Sequence, residues 1–243
     1  MPTVQLFVTC LIDGFSPEVG RATVKVLEGV GCEVAFPDRQ TCCGQPAYNA
    51  GLAADAARMA AATVGVLDET EGAIVLPSGS CADMLVNHAP ELLAGTDLEE
   101  AAGRVAARVR ELTQYLVDDR GIDDVDVACD ATVVYHPSCH GLRNLGIREQ
   151  AERLLDAVHG VERRIPDEVE QCCGFGGLFS VELPAVSAEI LRIKLDQLEA
   201  TGADLVVGGD LSCLLHIEGG LRRRDSSMRV CHIAEILGGS VPS

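Results

Sequence analysis

Glu170-Gln171-Cys172-Cys173-Gly174-Phe175-Gly176-Gly177 has a counterpart earlier in the chain, Gln40-Thr41-Cys42-Cys43-Gly44-Gln45-Pro46, and each copy lies between two further cysteines. Neighbouring side chains on an extended backbone point to opposite faces, so two adjacent sulfurs can serve one site only from a turn. The glycine that follows each pair suits such a turn, because it takes positive φ without steric cost and lets the backbone approach a bulky inorganic group. The two stretches read as a duplicated cysteine-ligated redox centre.

The flanking cysteines test the duplication. Cys10 and Cys139, Cys42 and Cys172, and Cys81 and Cys213 lie 129, 130 and 132 residues apart. Around these landmarks the order of elements repeats. Val4 to Thr9 reads as a buried strand ending at Cys10, and Thr132 to Tyr135 as its equivalent before His136-Pro137-Ser138-Cys139. Ser16-Pro17-Glu18 starts a helix to about Gly29, and Cys32 to Phe36 is a second strand. The Ala-rich helix Leu52 to Leu67 matches Pro184 to Ala200. Strands at Ala73 to Leu76 and Leu205 to Val207 lead into Ser78-Gly79-Ser80-Cys81 and Leu211-Ser212-Cys213, each opening a helix. Ala101 to Val117 reads as one long helix. The expected architecture is α/β: two tandem repeats, 1–120 and 131–243, joined by an acidic connector, 121–130. Each repeat is a small parallel sheet flanked by helices, and a pseudo-twofold axis relates the two.

Ligands of parallel α/β sheets collect beyond the carboxyl ends of the strands. That rule gathers Cys10, Cys42, Cys43 and Cys81 at one edge of the first repeat, and Cys139, Cys172, Cys173 and Cys213 at the same edge of the second. Four thiolates suit an iron–sulfur cluster or a tetrahedral zinc. Adjacent ligands favour the cluster, because neighbouring sulfurs reach separate irons where a single zinc would be crowded; zinc in one half stays open. Gly44, Gly174 and Gly176 read as backbone that embraces the bound group. Cys32, Cys129 and Cys231 have no counterpart in the other half and read as structural.

Bulk composition agrees. Hydrophobic residues make up 47% of the 243 and aromatics 3%, without tryptophan, so the interior is Ala, Val, Leu and Ile, as in packed parallel strands under Ala-rich helices. The net charge of -18 argues against a nucleic-acid surface. The first residues lack the basic lead of a signal peptide, and no apolar run approaches the roughly 20 residues of a membrane span. A cytoplasmic location is expected. In that reducing compartment an odd set of 11 cysteines points to metal or redox chemistry and away from a disulfide framework.

The segments Phe7-Val8-Thr9-Cys10, Cys42-Cys43-Gly44-Gln45-Pro46, His136-Pro137-Ser138-Cys139, Cys172-Cys173-Gly174-Phe175-Gly176-Gly177 and Ser212-Cys213-Leu214-Leu215 resemble the signatures of the cysteine-rich (Cys-Cys-Gly) domain family. The likeness runs from about residue 4 to 238. That family also contains the Cys-Cys-Gly component of heterodisulfide reductase and the iron–sulfur subunit of glycolate oxidase. The resemblance implies an iron–sulfur electron-transfer subunit of a multi-subunit complex that oxidises L-lactate or another 2-hydroxy acid, carrying one or two [4Fe-4S] clusters and working with iron–sulfur or flavin subunits. Two other readings stand beside it: a catalytic subunit of the heterodisulfide or thiol reductase type, and a zinc-stapled scaffold that binds partners. The fuller family pattern ends each repeat in Cys-x-x-Cys, whereas this chain has Met84 and His216 at the last positions. Four cysteines per half remain, enough for a conventional [4Fe-4S] cluster, with His216 a candidate replacement ligand. His136 and His140, which flank Cys139, are candidates for hydrogen bonds to a cluster sulfur.

Overall fold

Short runs of branched aliphatic residues, buried on both faces, form the centre of the molecule. In the computed structural model, which describes residues 1–241, β1 (Thr3–Leu6), β2 (Glu33–Ala35), β3 (Ala73–Leu76) and β4 (Val109–Glu111) make one sheet in the order β2-β1-β3-β4. A second sheet, β6-β5-β7-β8, is built from β5 (Ala128–His136), β6 (His159–Arg164), β7 (Leu205–Gly208) and β8 (Arg229–His232). Every strand pair is parallel. Residues 242–243, the end of the expected second repeat, lie outside the described residues.

The helices after each Cys-Cys-Gly stretch show the repeat position by position. Helix Ala53–Asp68 buries Ala56, Ala60, Thr63, Val64 and Leu67, and helix Pro184–Ala200 buries Ser187, Leu191, Lys194, Leu195 and Leu198. The same spacing along both marks one inward stripe. A charged Lys194 thus stands where the first half has Thr63.

One expected element is corrected. Ala101 to Val117 is not a single helix: helix Glu99–Arg108 stops, β4 follows, and a new helical turn begins at Leu112–Gln114. Val109 and Glu111 are buried against β3 in register with Ile74 and Leu76, so sheet pairing overrides a helical period. β8 plays the same part in the second half. Cys81 and Cys213 therefore follow the third of the four strands in each half. β6, which ends in the consecutive charged residues Glu162, Arg163 and Arg164, is an edge strand paired on one side with β5.

The halves pack reciprocally. Helix Pro17–Gly29 lies on Ile233–Leu237, and its counterpart Glu149–Ala157 lies on Leu112–Gln114. Likewise Cys10–Phe15 meets Leu211–Arg223, while Gly79–Asp83 meets the turn His140–Asn144. Element i of one half touching j of the other, and j touching i, is the signature of a twofold. A continuous apolar core crosses that axis, with Val4, Val75, Val133, Val207 and Ile233 in one cluster.

Buried polar groups line the axis. Ser78 and Asp210, equivalent residues, bond to each other at 3.2 Å, and Asp210 also accepts from the Ser80 backbone N–H and hydroxyl, both at 2.8 Å. Glu111 and His232 cap the helical turns after β4 and β8: Glu111 Oε2 accepts from Thr113 N at 2.8 Å, and His232 Nδ1 from Ala234 N at 3.2 Å. The other His232 nitrogen donates across the axis to the Pro77 carbonyl at 3.2 Å, and burial pushes the ring down to about 4. Burial pushes the Glu111 carboxyl up to about 7, with Asp210 adding repulsion.

Because the Glu111 pKa in the fold lies above its ordinary 4.5, its contribution to stability is full below that value and is lost as pH rises through about 7. The cost above neutrality is on the order of 3 kcal/mol. We expect Glu111→Gln to shrink the drop in urea midpoint between pH 5 and pH 8. An identical drop in variant and wild type would show that Glu111 ionises freely.

Candidate metal centre

In the first half the four predicted cysteines leave three strands and meet beyond their carboxyl ends. Cys10 opens the short helix Cys10–Phe15, whose first turn is held by Thr9 at a φ of 69° accepting from Ile12 N at 3.4 Å. The loop with Cys42 and Cys43 is tied to β1 by Gln40, which accepts from Val8 N at 2.8 Å and donates to the Leu6 carbonyl at 3.0 Å. Thr63 holds the same loop from the helix behind, donating to the Cys42 carbonyl at 3.0 Å. Gly44 has a φ of 94°, and a Cβ there would lie 3.1 Å from the Ala56 carbonyl oxygen. The turn that aims both sulfurs inward therefore needs glycine twice over, for its dihedral and for its closeness to the helix. Cys81 follows Ser78, whose hydroxyl accepts from Cys81 N at 3.3 Å; its sulfur lies 3.2 Å from that of Cys43.

The second half repeats this construction with different fasteners. Gly174, at a φ of 88°, would place a Cβ 2.7 Å from the Ser187 carbonyl oxygen, and the Ser187 hydroxyl donates back to the Gly174 carbonyl at 2.8 Å. Gly174 N donates to Cys172 Sγ at 3.3 Å. His136, Cys173 and Cys213 bring potential ligand atoms within 4.8 Å of one another.

Within each set the sulfurs form a chain of contacts, Cys10 to Cys42 to Cys43 to Cys81 and Cys139 to Cys172 to Cys173 to Cys213. Hydrogen bonds from Cys10 and Cys43 hold Cys42 well below the usual thiol range, and those from Cys139 and Cys173 do the same for Cys172. Donating those bonds pushes Cys10, Cys43, Cys139 and Cys173 up. One thiolate flanked by donating thiols is a compact site that a metal completes by displacing the shared protons.

The sites differ in access. Cys10 is exposed, and the first set opens into a cavity of about 430 Å³. Part of its wall comes from the second half: Phe175, Leu178, Val181 and Leu211. Gly176, at a φ of 57° and pressed against Phe179, turns the segment that forms this wall. A larger hollow of about 670 Å³, around Lys25 and Asp123, has no cysteine in its lining.

The other candidates fall out differently. Met84 is fully buried beside Phe7 and Leu85 in an apolar cluster. His216 shares its Nε2 with the Ser187 hydroxyl at 3.3 Å and meets the Phe175 ring edge-on. His140 joins the two sites: its Nδ1 bonds Asp83 at 2.6 Å, and its Nε2 faces Gln45 at 3.2 Å, just past the other cysteine pair. Burial alone would raise Asp83, but His140, Asn87 and Asn144 outweigh it and hold the carboxyl at about 2. Sequence reasoning missed Asp83, Gln45, Thr63 and Lys194. Only Lys194 left a signal, visible when the two Ala53–Asp68-type helices are aligned by their inward stripe.

Among the described residues no helix is long and apolar enough to cross a membrane. The cysteine-rich domain family matches residues 4–86 and 133–218, once per half. Lactate utilization protein A of Geobacillus kaustophilus is 44% identical over 235 residues, covering 96% of this chain and 98% of that protein. Its namesake from Shouchella clausii is 43% identical over 234 residues, with the same coverage. A hypothetical protein from Helicobacter pylori superposes with a TM-score of 0.62 at 10% identity, and this chain, matched along its whole length, spans 50% of it; that likeness speaks for the fold alone. With a family match in each half and full-length relatives above 40% identity, the chain belongs to the cysteine-rich domain family, in the group of the lactate utilization A proteins.

Proposed function

We propose that the chain is an iron–sulfur electron-transfer subunit in the use of L-lactate or a related 2-hydroxy acid, acting with iron–sulfur or flavin subunits. The observation that carries this reading is the pair of four-thiol sets, each a chain of touching sulfurs at the same edge of its sheet. It occurs in a chain whose full-length relatives are named for lactate utilization.

Cys10, Cys42, Cys43 and Cys81 would hold one group, and Cys139, Cys172, Cys173 and Cys213 the other. The residues present fit such a group. Each set offers soft sulfur donors, and the second leaves both His136 nitrogens and Lys194 Nζ buried with no hydrogen-bond partner, as expected where an anionic group belongs. A [4Fe-4S] cluster takes up and releases single electrons when bound. The chain itself positions the thiols through Gln40, Thr63 and Ser187, and narrows access to the first set with the 175–181 segment. Gly174-Phe175-Gly176-Gly177 follows a cysteine pair and opens no strand-to-helix phosphate loop, so a nucleotide cofactor has no place in this reading.

One observation favours a second reading, thiol or disulfide chemistry at the first site: Cys10 is exposed beside the cavity of about 430 Å³, which has mainly apolar walls. In that case Cys10→Ser abolishes turnover of a disulfide substrate by the isolated chain; in an electron-transfer subunit there is no such turnover to lose.

Anaerobically purified protein should be brown, with iron and acid-labile sulfide and broad visible absorption. Colourless protein with stoichiometric zinc would instead support the scaffold. Cys172→Ser should cost the second half its iron and stop electron delivery to the partner subunits, which should copurify with the wild-type chain. Full iron content and full activity in that variant would overturn the ligand assignment.

A further inference from the structure

Lys194 sits in the middle of helix Pro184–Ala200 with none of its surface exposed, and its Nζ has no hydrogen-bond partner. His136, at the end of β5, is 1% exposed with both ring nitrogens unpartnered. A desolvated ammonium without an acceptor is among the costlier things a fold can carry. Burial works against the charge on Lys194, and the four cysteines near enough to act on it, Cys173, Cys213, Cys139 and Cys172, work for it. An imidazole always carries at least one ring N–H, so unpartnered His136 has a donor to give beside Cys173 and Cys213. A His136 nitrogen comes within 4.8 Å of the Cys173 and Cys213 sulfurs, and Lys194 lies near enough to all four cysteines of the set to feel their charge.

The first half has neither. Seven residues beyond the glycine contacts at Ala56 and Ser187 stand Thr63 and Lys194, and three residues before Cys10 and Cys139 stand Phe7 and His136. Thr63 spends its hydroxyl on the Cys42 carbonyl, and Phe7 packs in the apolar cluster around Cys43 and Cys81. Two sites with the same ligands and the same fold thus differ by a buried cation and a hydrogen-bond donor.

We infer that Lys194 and His136 are the counter-charge and hydrogen-bond donor for the group held by Cys139, Cys172, Cys173 and Cys213, making the second site the higher in reduction potential and the first site the lower. The inference rests on the iron–sulfur reading above. Its physics is general: a buried cation or N–H donor beside a cluster favours the more negative, reduced state. Both act on the cluster from outside the four sulfurs and touch no substrate; because a His136 nitrogen comes within 4.8 Å of Cys173 and Cys213, loss of second-half iron in a folded His136→Phe would mark it as a ligand and overturn its part in the inference.

The test is a potentiometric titration of the anaerobically purified full-length chain, followed by electron paramagnetic resonance, with iron measured on the same samples. Wild type should show two midpoint potentials, and Cys172→Ser should retain only the lower. Lys194→Met should lower the higher potential by at least a tenfold change in the one-electron equilibrium, about 59 mV, with iron content and the lower potential unchanged. Lys194→Arg should restore most of the shift. His136→Phe, which installs the first half's residue, should move the same potential in the same direction, and it reads the effect if Lys194→Met does not fold. Wild-type potentials in both variants with full iron would overturn the inference, as would loss of second-half iron in a folded Lys194→Met, which would mark an assembly role. Wild-type protein without iron would overturn the iron–sulfur reading itself, an outcome separable from the others by the metal analysis.

Discussion

The second Cys-Cys-Gly turn cannot be built with any side chain at its glycine. Gly174 combines a φ of 88° with backbone so close to the following helix that a Cβ would lie 2.7 Å from the Ser187 carbonyl oxygen. Gly44 repeats the arrangement with slightly more room. The constraint propagates in both directions. Pressing the turn against the helix points two adjacent sulfurs inward together, which an extended chain cannot do. It also fixes where each long helix begins relative to its sheet, so the third strand delivers Cys81 or Cys213 to the same place. The loops carry the chemistry, and the strands and the glycine contacts make those loops rigid.

Reciprocal packing has a consequence for the polar groups at the axis. Residues that are equivalent in the two halves face each other there, and two copies of one charged residue would repel in a medium that screens poorly. The chain avoids this by divergence. Ser78 opposes Asp210 and gives it a hydrogen bond, and the caps after β4 and β8 are a carboxylate, Glu111, and an imidazole, His232. A homodimer of single repeats would need self-complementary residues at each of these places. A fused duplication is free to specialise them, and the buried carboxylate at Glu111 is a cost that only a fused chain needs to carry once.

Much of the fold was readable because its informative parts are the most buried. β1, β3, β5 and β7 are apolar runs at sheet centres, and the two Ala- and Leu-rich helices keep a strict inward stripe. β4 was hidden because its three residues include an arginine and a glutamate and continue a helical period; only pairing with β3 makes it a strand. β6 was hidden because an edge strand with one wet face needs no apolar run. The cysteines declared themselves by spacing. Asp83 and Gln45 did not, because the partners of a polar side chain are a property of the assembled fold, and in sequence each looks like an ordinary solvated residue; Lys194 shows only through its place on the inward stripe.

His140 ties the two centres into one unit. It follows Cys139 of the second set, is anchored by Asp83 two residues after Cys81 of the first, and faces Gln45 beside the first cysteine pair. Any shift of one loop must therefore be felt at the other through short, oriented hydrogen bonds, and Asn144 and Asn87 leave Asp83 little freedom to turn away. Identical cysteine sets held at a fixed mutual geometry would be equivalent. The residues behind the cysteines break that equivalence: Thr63 and Phe7 in one half, Lys194 and His136 in the other. Duplication thus set the distance between the centres, and divergence of the buried shell set the difference in their electrostatic surroundings.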